Sequence, residues 1–339
     1  MKKHILSLAA ALLFTFFAGC AGNGDAGTAP ENGGSFETNM PQSVRIGAMN
    51  GPTALGLLRL MDLSEADRAA QNYEFTIGVI DEMVALISRG DVDMAAIPAN
   101  LASVLYNSTN GEILVLAINT LGVLYIVETG DSINSVSDLA GKTVYATGHG
   151  AVPELILNYI LLQNGLNPDT DLNIEFRSEP VEILPLLQRG GDMIAMLPQP
   201  FVASAQQHVD GLRIALDLTE EWDIASDGES QLITGVMVVR RDFAEKYPEA
   251  VALFLDEYAA SVAFVTGNIE EAAQLAENFG IINREIALRA LPYCNITFIA
   301  GLAMKDALSG YLQVLHDQNP RSVGGAMPDE DFYFISEIS

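Results

Sequence analysis

The stretch LISRGDVDMAAIPAN, Leu86 to Asn100, is echoed one hundred positions later by LLQRGGDMIAMLPQP, Leu186 to Pro200. The two agree at Leu86/Leu186, Arg89/Arg189, Gly90/Gly190, Ala95/Ala195 and Pro98/Pro198, with Glu82/Glu182 just upstream. Each copy reads as the end of a helix, a glycine stop, and a short apolar strand that ends at a proline. A repeat of this kind predicts two similarly built lobes, each contributing one strand edge to a shared cleft.

Working outward from the first copy, VRIGAM (44–49) reads as a strand and NGPTALGLLRLM as a turn and helix with Pro52 near its start. Tyr73 to Gly78 is a second strand, VIDEMVALISRG a helix striped by Ile80, Val84 and Ile87, and MAAIP and EILVLAIN are strands buried on both faces. Around the second copy the order recurs. KTVYAT, LNIEFRS, MIAML and LRIALDL read as strands, while GHGAVPELILNYILLQNG and EILPLLQRG read as helices, the first with Pro153 where Pro52 stood. After Asp217 one strand, TGVMVVRR, precedes a long helix striped by Tyr247, Val251, Phe254, Tyr258, Val262 and Val265, and further helices around 269–279, 284–291 and 299–316. Few strand signals remain for a third lobe, so this tail is expected to cover the first one. The expected fold is α/β: two lobes, each a mainly parallel sheet flanked by helices, with a cleft between them. Lobe I takes 44–124 and 237–339 and lobe II takes 125–236. The crossings near 122–129 and 234–241 would form a hinge.

The first 19 residues carry Lys2 and Lys3 ahead of an apolar run from Ile5 to Ala18, too short to span a membrane comfortably and typical of a signal peptide. FAGC (17–20) then places small residues before Cys20, as in a bacterial lipoprotein cleavage site, so Cys20 is expected to carry lipid at the head of a flexible tether, 20–43. An ordinary signal peptide with an incidental cysteine is the other reading. The remaining cysteine, Cys294, has no partner and reads as a small buried hydrophobe. His4, His149, His208 and His316 lack ligand spacing, so no metal and no cofactor is expected. With 17 Lys and Arg against 44 Asp and Glu, the formal charge is −27, which repels nucleic acid and anionic headgroups.

Ligands of open α/β sheets gather at the carboxyl ends of the strands, and this selects the candidate contacts. They are Asn50, Gly51 and Thr53 after the first strand, Pro98 and Asn100 after the third, and Asn119 and Thr120 at the end of the fourth. In the second lobe they are Thr147, Gly148, His149 and Gly150, whose turn opens a helix with free N–H groups, and Gln199. Trp222, the single tryptophan, is a candidate for stacking on a flat ligand or for packing at the hinge. Gly148-His149-Gly150 lacks the third glycine of a dinucleotide fingerprint, where Pro153 stands. None of these edge loops contains Lys or Arg, which favours a neutral or weakly basic compound such as a pyrimidine-like ring, with a monoanionic sulfonate or carboxylate as the alternative.

Several stretches together, RGDVDMAAIP, SVSDLAGKTVYATGHGAVPE, FAEKYPEAVALFLDEY with NIEEAAQLAENFG, and the closing AMPDEDFYF, resemble substrate-binding proteins of ABC importers with the type II periplasmic-binding fold, in the branch for nitrate, sulfonates, taurine and thiamine precursors. The resemblance implies a monomeric, extracytoplasmic, lipid-anchored protein that passes a small solute to a permease and its ATPase. Members of the branch often carry an acidic residue where this chain has Gln199. No nucleophile, base or metal constellation is evident, so no enzymatic activity is expected. An enzyme of cofactor biosynthesis on the same fold, or a ligand-sensing lipoprotein, are the alternatives.

Overall fold

The computed structural model describes residues 39–335; the expected signal peptide and most of the tether, including Cys20, lie outside the described residues. Two sheets organise the chain. The first holds β1 (Val44–Met49), β2 (Tyr73–Gly78), β3 (Met94–Pro98), β4 (Ile113–Leu121), β10 (Ile233–Arg240) and β11 (Ile296–Ala300). The second holds β5 (Leu124–Glu128), β6 (Thr143–Thr147), β7 (Asn173–Arg177), β8 (Ile194–Pro198) and β9 (Arg213–Asp217).

Their orders are β2-β1-β3-β10-β4-β11 and β7-β6-β8-β5-β9, so the first five strands of one sheet match the five of the other. In each, three strands run parallel, the fourth runs antiparallel to them, and the fifth, antiparallel to the fourth, runs parallel to the first three. The expected mainly parallel sheets are thus present, with β11 reversed at one edge of the first sheet and β5 and β10 reversed where the chain crosses between the lobes. The physical reason is the crossover: a chain that arrives from the other lobe enters at the cleft edge and can only run away from it, against β3 or β8. Thus β5 pairs Leu124 with Pro198, and β10 pairs Gly235 with Pro98.

The crossings are correspondingly short. Gly122 and Val123 join β4 to β5, while residues 218–232 lead back to β10; the segment 234–241, expected to be a crossing, is instead a buried strand of the first sheet. The two crossings touch, since a Cβ on Gly122 would meet Leu232 Cδ2 at 2.6 Å and Thr219 Oγ1 at 2.3 Å. Asn295 Nδ2 donates to the Gly122 carbonyl at 2.7 Å.

The helix expected after β1 is broken into α1 (Pro52–Leu55) and α2 (Leu58–Glu65). At the break the Ser261 hydroxyl donates to the Gly56 carbonyl at 2.7 Å and accepts the Leu60 N–H at 3.1 Å, so a side chain replaces the missing helical bonds. α3 (Ile80–Arg89) ends at Gly90 in the left-handed conformation, φ 72°. α4 (Ala99–Ser108) and α5 (Val152–Gln163) open directly at the cleft. The second copy of the α3 pattern is fragmented into a 3-10 turn (Pro180–Glu182) and α6 (Leu184–Leu187), because Pro185 cannot donate within a continuous helix. α7 (Phe201–Gln206) and α8 (Leu218–Ala225) complete the second sheet's cover.

The tail forms α9 (Arg241–Lys246), α10 (Pro248–Gly267), α11 (Ile269–Asn278), α12 (Arg284–Ala290) and α13 (Gly301–Gln318), with β11 unforeseen among them. α10 is long and apolar enough to cross a membrane, but Val251, Phe254, Tyr258, Val262 and Val265 are buried, most of them against the first sheet. Cys294 is buried among Leu55, Leu58 and Leu291, and burial pushes its thiol up to about 12.

Candidate ligand cleft

The carboxyl ends of β1, β2 and β3 face the cleft from one side and those of β6, β7 and β8 from the other. Between them lies a cavity of about 750 Å³. From the first lobe, Pro98, Asn100, Leu101 and Val104 line it through β3 and α4, together with Ile80 at the start of α3. From the second, Gly150, Ala151, Val152, Pro153 and Ile156 line it through the start of α5, with Pro198 at the end of β8. The first crossing adds Val123, and the strand starts beside the two crossings add Leu124, Ile233 and Thr234. The wall is chiefly aliphatic, as sites for small organic molecules are.

Of the residues expected from the sequence, Pro98, Asn100 and Gly150 line this cavity. The rest are placed differently. Thr147 ends β6, half-buried, and Gly148 (φ 84°) makes the turn, where a Cβ would meet Pro153 Cγ at 2.7 Å. His149 is exposed; its Nδ1 lies 3.2 Å from Glu154 Oε2, and its ring lies 4.7 Å from that of Phe176, tilted by 40°. Glu154 also accepts the Gly150 N–H, so a carboxylate of the chain itself occupies the helix amino end that was expected to receive a ligand.

In the first lobe Asn50 is exposed and Gly51 (φ 128°) half-buried, neither against the cavity. Thr53, Asn119 and Thr120 are buried in a polar knot rather than at the cleft surface. Thr53 Oγ1 donates to the Met49 carbonyl at 3.1 Å, Asn119 Nδ2 to the Thr53 carbonyl at 3.4 Å, and Thr120 Oγ1 to Asn119 Oδ1 at 3.0 Å. Gly235 lets them close: a Cβ there would meet Thr53 Cγ2 at 2.4 Å and Asn119 Oδ1 at 2.6 Å. Buried polar groups satisfy one another here, tying α1 to β4 and β10.

Gln199 is likewise turned inward. Its Oε1 accepts the Ala203 N–H at 3.3 Å, and its own N–H donates to the Val123 carbonyl at 2.9 Å. Trp222 is fully buried, its indole N–H donating to Ser230 Oγ at 3.1 Å, and so packs behind the cleft instead of stacking on a ligand. Its ring lies 4.5 Å from that of Tyr159 on α5 and 5.6 Å from that of Tyr311 on α13, joining the two lobes.

Besides much of the aliphatic wall, the strand-end rule missed four lining residues from late in the sequence: Tyr311 of α13, and Asn319, Arg321 and Ser322 of the turn that follows it. Asn319 caps this turn, accepting the Arg321 N–H at 3.2 Å. The sequence signals the turn itself, through Asn319-Pro320 and Gly324-Gly325, but not where it lands. Asn100 holds it against α4, donating from Nδ2 to the Ser322 carbonyl at 3.1 Å. The cavity thus has one cation, Arg321, and no carboxylate among its lining residues.

Residues 71–285 match the family model described as ABC transporter, phosphonate, periplasmic substrate-binding protein. No curated protein sequence matches the chain. Among solved structures, one described as an ABC transporter from Parabacteroides distasonis is 23% identical with a TM-score of 0.72, over 88% of this chain and 100% of that one. The periplasmic aliphatic sulphonate binding protein of Escherichia coli is 18% identical with a TM-score of 0.67, over 87% of this chain and 92% of its own. A desulfurization enzyme shares the fold at 14% identity and a TM-score of 0.57, covering 82% and 93%.

Proposed function

Since the chain belongs to the ABC-transporter periplasmic substrate-binding family, capturing a solute outside the cytoplasm for an importer, we propose that its ligand is a small organic compound with a largely apolar body. The observation that carries this reading is the cavity of about 750 Å³ at the strand ends of both sheets, walled by Leu101, Val104, Val123, Val152, Ile156 and Ile233. Its size suits a small molecule and its wall suits an apolar body. The aliphatic sulphonate ligand named for the Escherichia coli neighbour is compatible with such a wall.

Binding is proposed to draw the lobes together about the touching crossings at Gly122 and Leu232. The lobes correspond to the two sheets with their helices, and the chain acts as a monomer, without turnover of its ligand. Cys20 is proposed to carry the lipid that keeps the protein at the membrane, on the strength of the FAGC sequence and the apolar run before it. A Cys20→Ser protein is expected to move from the membrane to the soluble fraction; unchanged fractionation overturns the anchor.

The test of the ligand site is mass spectrometry of what purified protein releases on denaturation. One small organic compound is expected from the wild type, chemically unchanged after incubation with the protein, and none from Val152→Trp, which fills the cavity. Release of the same compound in the same amount by Val152→Trp places the site elsewhere, and conversion of the compound by the protein favours an enzyme on this fold.

A further inference from the structure

We infer that Arg321, on the turn after α13, anchors a single anionic head group of the solute, and that the helix amino end in the second lobe does not. The inference rests on the reading of the cavity as the solute site. It begins with charge. The chain carries 44 acidic residues among 339, yet none lines the cavity, and its one lining cation makes no ion pair among the described residues. A cleft lining without carboxylates and with one exposed guanidinium, in a protein of net charge −27, selects an anion and repels a cation. The hydroxyls of Tyr311 and Thr234 and the amide of Asn319 add hydrogen-bond donors on the same lining.

The alternative anchor is already in use. At the start of α5 the Gly150 N–H donates to Glu154, whose carboxylate would oppose a second negative group. One guanidinium forms a bidentate pair with one carboxylate or sulfonate; a doubly charged phosphonate would leave one charge without a partner.

The turn that carries Arg321 is also held in place, while the Arg321 side chain itself is exposed. Besides Asn100, Ser103 Oγ donates to the Val323 carbonyl at 2.7 Å, and Asn107 Nδ2 to the carbonyls of Val323 at 2.9 Å and Ala326 at 2.8 Å. Gly324, φ 93°, lies so close to α4 that a Cβ would sit 3.0 Å from Val104 Cα. α4 thereby fixes the turn that carries the cation, while Leu101 and Val104 of the same helix supply apolar wall.

The experiment is calorimetric titration of the full chain with four hexyl compounds that differ only in the head: sulfonate, carboxylate, amide and trimethylammonium. Wild type is expected to bind the two anions at least about tenfold more tightly than the amide, and the ammonium least. Arg321→Gln is expected to lower the anion affinities about 10- to 100-fold, to the level of the amide, whose own affinity stays unchanged. Arg321→Lys is expected to recover part of the loss. An amide or ammonium bound as tightly as the anions, or an anion preference that survives Arg321→Gln, overturns the anchor while leaving the solute site standing. Failure of all four to bind the wild type overturns the solute site, and the anchor with it.

Discussion

The two copies of the repeat, 82–100 and 182–200, pack alike and end differently. Met83 and Ile183 are buried at matching positions, as are Ile87 and Leu187, Ala95 and Ala195, and Ile97 and Leu197. Gly90 and Gly190 both take the left-handed conformation, φ 72° and 76°. Beyond Pro98, however, Asn100 lines the cavity and holds the turn after α13, whereas beyond Pro198, Gln199 folds inward onto the Ala203 N–H. A duplicated pattern of apolar residues specifies a duplicated core. The polar residue that follows each proline is free to differ, and there the lobes take separate tasks.

The equivalence of the cores makes the largest prediction. Ile87→Ala and Leu187→Ala should each cost about 3 kcal/mol, by lost burial and an unfilled cavity. Denaturant unfolding of the two variants measures it. A cost below about 1 kcal/mol for one alone would mean that the fragmented helix around Pro185 does not anchor its lobe as α3 anchors the other.

The far edges of the sheets offer a second comparison. Each is closed by an arginine on a buried carboxylate: Arg45 on Asp93 at 2.5 Å in the first lobe, and Arg213 on Glu128 in the second. Burial raises the pKa of Glu128, but the N–H groups of Ile133 and Ser132 and the Arg213 guanidinium outweigh it, and the net shift is downward. The stability this contributes is full above the unfolded value, about 4.3, and is lost as pH falls through the lower folded value. Arg213→Met should cost about 2 kcal/mol at neutral pH, a figure reduced because the guanidinium is over a third exposed. Without the guanidinium the folded pKa of Glu128 rises toward its unfolded value, so the acid loss in this variant should be smaller than in wild type. Unfolding midpoints between pH 3 and 7 check both, and a variant with the wild-type pH profile would refute the role of the pair.

The smallest effects separate the two amides. Asn100→Ala should weaken solute binding about tenfold, by loosening the turn that carries Arg321, with about 1 kcal/mol lost in stability. Gln199→Ala should cost a similar stability and leave affinity within about twofold, since its partner is a backbone group inside the lobe. Titration of both variants reads the difference, and equal losses of affinity would erase the distinction drawn between the two lobe edges.

What the sequence made legible follows from periodicity. The runs MAAIP and EILVLAIN are strands because continuous apolar residues suit a sheet covered on both faces, and β3 and β4 are buried nearly throughout. The stripe from Val251 to Val265 is a core helix for the same reason. Local pattern could not show that Ser261 would take over the bonds of the helix broken at Gly56, nor that β5 and β10 would enter antiparallel, because both depend on partners from elsewhere in the chain. The site was the least legible part. Pro98, Asn100 and Gly150 follow from the strand-end rule, but Arg321 reaches the cavity through a bond between Asn100 and Ser322, 222 residues apart. With that arginine unseen, the edge loops alone favoured a neutral or weakly basic ligand.

The most direct test of the account is a crystal structure of the protein with the solute it releases on denaturation soaked or grown in. The account predicts one molecule in the cavity, its apolar body against Leu101, Val152 and Ile156 and its head group at Arg321. Density for the solute in the shallow site between Gly228 and Ala307, or at Asn50 and Gly51 away from the cavity, would contradict it.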